Sequence, residues 1–120
     1  MKKVWLITGV SSGFGCEMTK QLLENGDTVV GTVRNTKKVK DFIERFPNAF
    51  YCKILDVTDM KAVEQTVRDS FEKHGKIDVV VSNAGYGLFG CVEELSDEEI
   101  DHIIATNLVG SIALLKIAVP

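Results

Sequence analysis

The sequence predicts an α/β fold: the N-terminal half of a doubly wound parallel sheet, about four strands with flanking helices. Three observations predict it. Short β-branched apolar runs alternate with segments of helical period along all 120 residues. Those runs are apolar at consecutive rather than alternate positions, as strands covered on both faces are. The first run leads straight into "TGVSSGFG" (8–15), a glycine cluster between a strand and a helix.

The elements follow in order. "VWLITG" (4–9) is the first strand. A helix starts inside the glycine cluster, with Phe14, Met18 and Leu22 repeating every four residues as its apolar face and Gly26 suited to the left-handed turn past its end. "TVVGTV" (28–33) is the second strand. Val39, Phe42, Ile43 and Phe46 fall at i, i+3, i+4 and i+7, which predicts a second helix capped by Asn35 and stopped by Pro47, with Lys37, Lys38 and Lys40 on its outer side. "AFYCKIL" (49–55) is the third strand, and Val63, Val67 and Phe71 mark a helix that starts after Thr58 and ends near Gly75. "DVVVSN" (78–83) is the fourth. "SDEE" from Ser96 reads as a capping box, and opens a helix whose expected apolar face is Ile100, Ile103, Ile104, Leu108, Ile112 and Leu115. Asn107 falls on that face, where an amide must find buried partners or cost about 2 kcal/mol or more. Right-handed crossovers give the strand order 3-2-1-4, with a ligand crevice beyond the carboxyl ends of strands one and four.

Composition bounds the function. With 45% hydrophobic and 26% charged residues the chain suits one soluble domain, 1–120, and its net charge of -3 argues against nucleic acid or an anionic membrane as partner. A small molecule is the expected ligand. Cys16, Cys52 and Cys91 are too scattered for a zinc site or disulfide framework, and are read as reduced thiols of a cytoplasmic protein. The apolar stretch "IIATNLVGSIALLKIAVP" is interrupted by Asn107, Ser111 and Lys116 and falls short of the ~20 residues of a membrane span, so a buried helix is expected.

Gly9, Gly13 and Gly15 suit a backbone that turns sharply out of a strand, comes close to a pyrophosphate and enters a helix packed hard on the sheet. A nucleoside-triphosphate loop is excluded, since no Gly-Lys-Ser/Thr follows at the required spacing. Dinucleotide-binding folds place an acid at the end of the second strand for a ribose 2'-hydroxyl, or a base for a 2'-phosphate. Here that strand ends "GTVRN". Arg34, with Lys37 and Lys38 adding to its field, favours NADP(H) over NAD(H).

"TGVSSGFG", "DVT" (56–58), "NAG" (83–85) and "NLVG" (107–110), in that order, resemble the short-chain dehydrogenase/reductase family in its TG-x-x-x-G-x-G branch, over the whole chain. The resemblance implies a Rossmann-type sheet and hydride transfer between the cofactor and a small alcohol or ketone. It implies that Ser11, Ser12, Phe14 and Gly15 line the phosphates, that Asp56 binds the adenine amino group with Val57 beside it, and that Asn83, Ala84 and Gly85 border the nicotinamide ribose. Asp56 also suits a turn or cap with Thr58. Asn107 matches the asparagine that bends its helix and holds a water in the proton relay, and the last helix is where such proteins pair. Tyr86 is read as a loop residue. Neither Tyr51 nor Tyr86 has the family's lysine four positions on. The chain is therefore expected to carry the cofactor half without the catalytic Ser, Tyr and Lys, to lack turnover alone, and to expose "DVVVSN" as an associating edge. A non-catalytic NADP(H)-binding module is the other reading of the same residues.

Overall fold

A computed structural model describes residues 2–84 and 95–118, which leaves Gly85, Tyr86 and Cys91 outside the described residues. β1 (Val4–Thr8), β2 (Thr28–Val33), β3 (Phe50–Ile54) and β4 (Val79–Val81) form one parallel sheet in the order β3-β2-β1-β4. Leu6 pairs with Val30 on one side and Val80 on the other. Neighbouring residues of each inner strand serve opposite faces, which is why the runs are continuously apolar. Leu6 and Val30 join one core with Leu55, Val57, Val63, Val67, Leu114 and Ala118. Ile7 and Val29 join the other with Val10, Leu23, Val33, Val39, Phe42 and Phe50. α1 (Gly13–Glu24) and α2 (Lys40–Arg45) thus cover one face, and α3 (Met60–His74) and α5 (Gly110–Ala118) the other.

Three helices differ in detail from the sequence reading. In α1 the buried line is Gly15, Thr19 and Leu23, with Met18 and Leu22 half-buried beside it. Phe14 is 87% exposed, because it belongs to the first turn, which overhangs the end of the sheet. Asn35 caps no α-helix: its Oδ1 accepts from the Lys37 N–H (3.1 Å), a turn that leads into a 3-10 segment, Lys37–Val39, before α2. The cap of α3 is Asp59, which accepts from the Ala62 N–H at 3.1 Å, while Thr58 is committed to Asp56.

The largest difference lies in the last helix, which runs 22 residues from Asp97 to Ala118. It comprises α4 (Asp97–Ile104), a π turn (Ala105–Val109) and α5. The expected capping box is formed, since the Glu99 N–H donates to Ser96 Oγ and the Ser96 N–H to Glu99 Oε1. The expected apolar face, however, points outward: Ile104, Leu108, Ile112 and Leu115 are 43–57% exposed together with Val109. The buried line is Thr106, Gly110, Leu114 and Ala118. Its small residues let the helix lie close to β3's end, where a Cβ on Gly110 would stand 3.0 Å from the Val57 carbonyl oxygen. Asn107 is exposed rather than buried. By length and composition this helix also reaches what a membrane crossing needs, contrary to the length estimate from the sequence; one line of it nevertheless packs into the core.

Candidate functional site

The carboxyl ends of the four strands open into a cleft of about 510 Å³. Its glycine-bearing wall is fixed by hydroxyls buried at the strand ends. Thr8 Oγ1 accepts from the Asn83 and Ala84 N–H groups, both at 3.0 Å, and ties β1 to the segment after β4. The Thr32 carbonyl accepts from the Gly9 and Val10 N–H groups, both at 3.1 Å. Asn83 Nδ2 donates to the Gly9 carbonyl at 2.9 Å. Hydrogen bonds between polar groups buried in an apolar sheet hold geometry firmly, because leaving a partner unpaired there is costly.

The three glycines have separate reasons. Gly9 has φ +72°, and a Cβ there would meet Ala84 Cα at 2.9 Å. Gly13 has φ +60° and nothing within 4 Å of a Cβ, so it needs glycine for its backbone while the space beside it is open. Gly15 is buried under the loop, where a Cβ would collide with the Gly9 carbonyl and Asn83 Nδ2.

Beyond the loop, the first turn of α1 is left electrostatically open. Helix N-termini carry N–H groups without intrahelical partners and a partial positive charge. α4 answers both needs with its capping box and with Asp97, Glu98 and Glu99 in its first turn. At α1 the N-cap Ser12 makes no side-chain capping bond, and the first turn holds no acid. An anion fits there with no internal competitor. Ser11, Ser12, Gly13 and Phe14 line the cleft at this point.

On the β2 side the wall is Thr32, Val33, Arg34, Asn35 and Lys38. Arg34 is exposed, and none of the ion pairs among the described residues engages it. On the β3 side Leu55 and Val57 form an apolar patch, and Asn83, Ala84 and Thr106 complete the lining. Thr106 is 3% exposed, and its Oγ1 has no hydrogen-bond partner among the described residues.

The cleft thus gathers Gly9, Ser11, Ser12, Gly13, Phe14, Arg34, Val57, Asn83 and Ala84 from the sequence-predicted set. Gly15 lies beneath the loop instead of lining the cleft. Asp56 is not in the lining either. Its exposed carboxylate accepts from the Thr58 hydroxyl (2.7 Å) and N–H (2.9 Å), and these bonds hold it below the usual carboxylate range, with smaller help from the charges of Arg34 and His102. Asn107 sits on the π turn outside the lining, its carbonyl accepting from Ser111 Oγ at 3.2 Å, while Ser82 Oγ donates to Ser111 Oγ at 2.8 Å. Thr8, Thr32 and Thr106 escape the sequence reading. A hydroxyl inside an otherwise apolar run is their only signal.

The model of the family described as short chain dehydrogenase matches residues 3–120. The chain belongs to that family. A short-chain dehydrogenase from Streptomyces avermitilis superposes with a TM-score of 0.96 at 34% identity, over 100% of this chain and 44% of that one. The NADP-bound structure of ElxO superposes at 0.85 with 33% identity, over 98% of this chain and 49% of that one. Among curated relatives, the NADPH-dependent 3-dehydrocapnine reductase of Ornithobacterium rhinotracheale is 34% identical over 113 residues, 92% of this chain and 40% of its own length. The chain spans about half the length of the curated short-chain dehydrogenase relatives it matches, or somewhat less.

Proposed function

We propose that these residues form the cofactor half of an NADP(H)-preferring oxidoreductase that moves a hydride between the cofactor and a small alcohol or ketone. One observation carries the reading: an uncapped, acid-free helix start and an arginine–lysine wall share a single cleft. The open turn of α1 suits the diphosphate, and Arg34 with Lys38 the 2'-phosphate. Leu55 and Val57 suit the flat face of adenine, and Asp56, with one oxygen bound to Thr58, keeps the other for its amino group. Asn83, Ala84 and Gly85 are assigned to the nicotinamide ribose. When bound, the cofactor supplies the hydride. Asn107 is assigned to a water in the proton relay, and the extra residue of the π turn around it is the kind of helix deformation that this role implies.

The substrate is a small molecule. The outward line Ile104, Leu108, Ile112 and Leu115 is proposed as the surface through which two copies pair, in a cytoplasmic protein. A binding module without chemistry shares the same cleft. Tyr51, whose ring packs edge-on against His74 and under Lys73 Nζ (4.3 Å) on the α3 side, lies away from the cleft and takes no part in either reading. Oxidation of NADPH that depends on an added ketone separates the two.

The test is a fluorescence titration of the protein with NADPH and NADH. NADPH is expected to saturate and to bind at least about tenfold more tightly than NADH, the factor worth roughly 1.4 kcal/mol. Absence of saturable binding by either removes the reading, and equal affinities remove the NADP(H) preference.

A further inference from the structure

We propose that the outer edge of β3 is a docking site for an extended segment of a partner protein, one that alternates acidic and apolar residues and pairs with β3 as an added strand. The inference is independent of the cofactor reading. β3 stands at the end of the row of described strands. The Ala49 carbonyl accepts from the Val29 N–H and the Leu55 N–H donates to the Val33 carbonyl, both at 2.8 Å, with Val29 opposite Phe50 and Val33 opposite Ile54. Backbone groups of successive residues in a strand point to opposite sides, so Tyr51 and Lys53 turn theirs to β2 while Cys52 and Ile54 turn theirs outward. Outward backbone groups are a template for another strand.

A cavity of about 350 Å³ straddles this edge, and its two lips differ in chemistry. On the α3 lip, Tyr51 and Lys53 share one face of β3. Lys73 Nζ stands 4.3 Å from the centre of the Tyr51 ring, and His74 meets that ring edge-on. Lys53 and Lys73 belong to none of the ion pairs among the described residues, whereas Lys40, Arg45, Arg68 and Lys76 each do. Burial first, and then the charges of Lys73 and Lys53, hold His74 below the usual histidine range. Asp69 is the one acid among the described residues of the lining, and its carboxylate accepts from Gln65 Nε2 at 2.8 Å. The α2 lip is apolar. Ile43 and Phe50 line it, and Ile54, on the same face of β3 as Phe50, is 69% exposed.

Lys53 by itself would be the guard of an exposed edge, repelling a second copy of the same strand. A guard explains neither an isoleucine left exposed on the other face of that strand nor a second lysine brought to the edge by α3. Two copies paired through β3 would bring their lysines together, and like charges across a strand pair are unfavourable. A small anion would engage the lysines and leave the apolar lip and the outward backbone groups unused. A strand with carboxylates on one face and apolar side chains on the other meets all three features at once.

The experiment is a fluorescence anisotropy titration of the full chain, at low salt, with a labelled heptapeptide of alternating Glu and Val. Saturable binding with a Kd below about 1 mM is expected. A Lys–Val peptide is expected not to bind, and a Glu–Ser peptide to bind at least about fivefold more weakly. Two further peptides carry N-methyl groups on every Glu nitrogen or on every Val nitrogen. One is expected to lose at least about tenfold and the other less than about threefold, because an added strand presents one row of N–H groups to its neighbour. Lys53→Glu and Lys73→Glu are each expected to weaken the Glu–Val peptide at least about fivefold, with NADPH binding unchanged. Lys73 is an exposed helix position, so its variant carries the test if Lys53→Glu does not fold. Absence of saturable binding, equal affinity for the two methylated peptides, or unchanged affinity in the lysine variants overturns the proposal. Equal binding of the Glu–Ser peptide overturns it in favour of a site that reads charge alone. A dimer of the free protein that the peptide dissociates overturns it in favour of a second copy. Loss of NADPH binding in the wild type bears on the cofactor reading and leaves these outcomes as they are.

Discussion

Gly15→Ala is expected to abolish cofactor binding and to cost about 3 kcal/mol of stability, the upper range for forcing one extra carbon into a packed site. The added methyl meets the Gly9 carbonyl and the Asn83 amide. Neither yields cheaply. The carbonyl is backbone, held because Gly9 and Val10 donate to Thr32, and the Asn83 side chain is bonded to that same carbonyl. The helix must therefore rise off the loop, carrying the first-turn N–H groups away from the anion seat. Gly13→Ala is the informative contrast. Its methyl meets nothing within 4 Å, so the penalty is confined to a φ of +60°, about 1 to 2 kcal/mol. Yet that methyl projects into the open space beside the proposed phosphate site, and binding should fall nearly as far as in Gly15→Ala. Thermal melting and NADPH titration of the two variants check this. Stability losses in the reverse order, or NADPH affinity kept by either variant, contradict the assignment of the two glycines.

Legibility in the sequence divides along one physical line. Strand runs, sheet order and the glycine loop are legible because each is set by local chemistry: Leu6 with Ile7 and Val29 with Val30 need two covered faces, and Gly9 and Gly13 need an L-residue's forbidden backbone. Helix faces are legible only where burial uses large side chains, as at Val63 and Val67. The final helix defeats a reading by hydrophobicity. It buries Thr106, Gly110 and Ala118 because small residues permit close approach, and leaves Ile104, Leu108 and Ile112 outside. Its π turn adds a residue to the repeat, so an uninterrupted 3.6-residue period misplaces the residues C-terminal to it. Phe14 breaks its expected pattern for a related reason, since a helix can begin before it reaches the sheet it covers. In the site, Arg34 is legible as a charge where the fold usually has an acid. Thr8 and Thr32 are not, because their function is to hold the loop from across the sheet, a relation between distant residues with no local pattern.

Arg34→Ala is expected to weaken NADPH by about 1.5 to 3 kcal/mol, roughly 10- to 150-fold, and to leave NADH nearly unchanged. The asymmetry is the content of the prediction. NADH has no 2'-phosphate, so a side chain that acts only on that group contributes nothing to it. Two features of the site make Arg34 a better candidate than its basic neighbours. It follows directly on the last residue of β2, Val33, whereas Lys38 belongs to a short 3-10 segment. Its guanidinium also offers paired donors in a plane that match phosphate, which an ammonium does not. Asp56 is not a sufficient reason for the arginine, since that carboxylate takes its main support from Thr58. Arg34→Lys should therefore recover only part of the loss, as charge without the fork. Because Arg34 and Lys38 are both exposed, added salt should weaken NADPH more than NADH in the wild type, and Arg34→Ala should shrink that difference. Calorimetric titration at two salt concentrations checks all three statements. Equal losses for the two cofactors would make Arg34 a general support of the cleft rather than the residue that selects the phosphate.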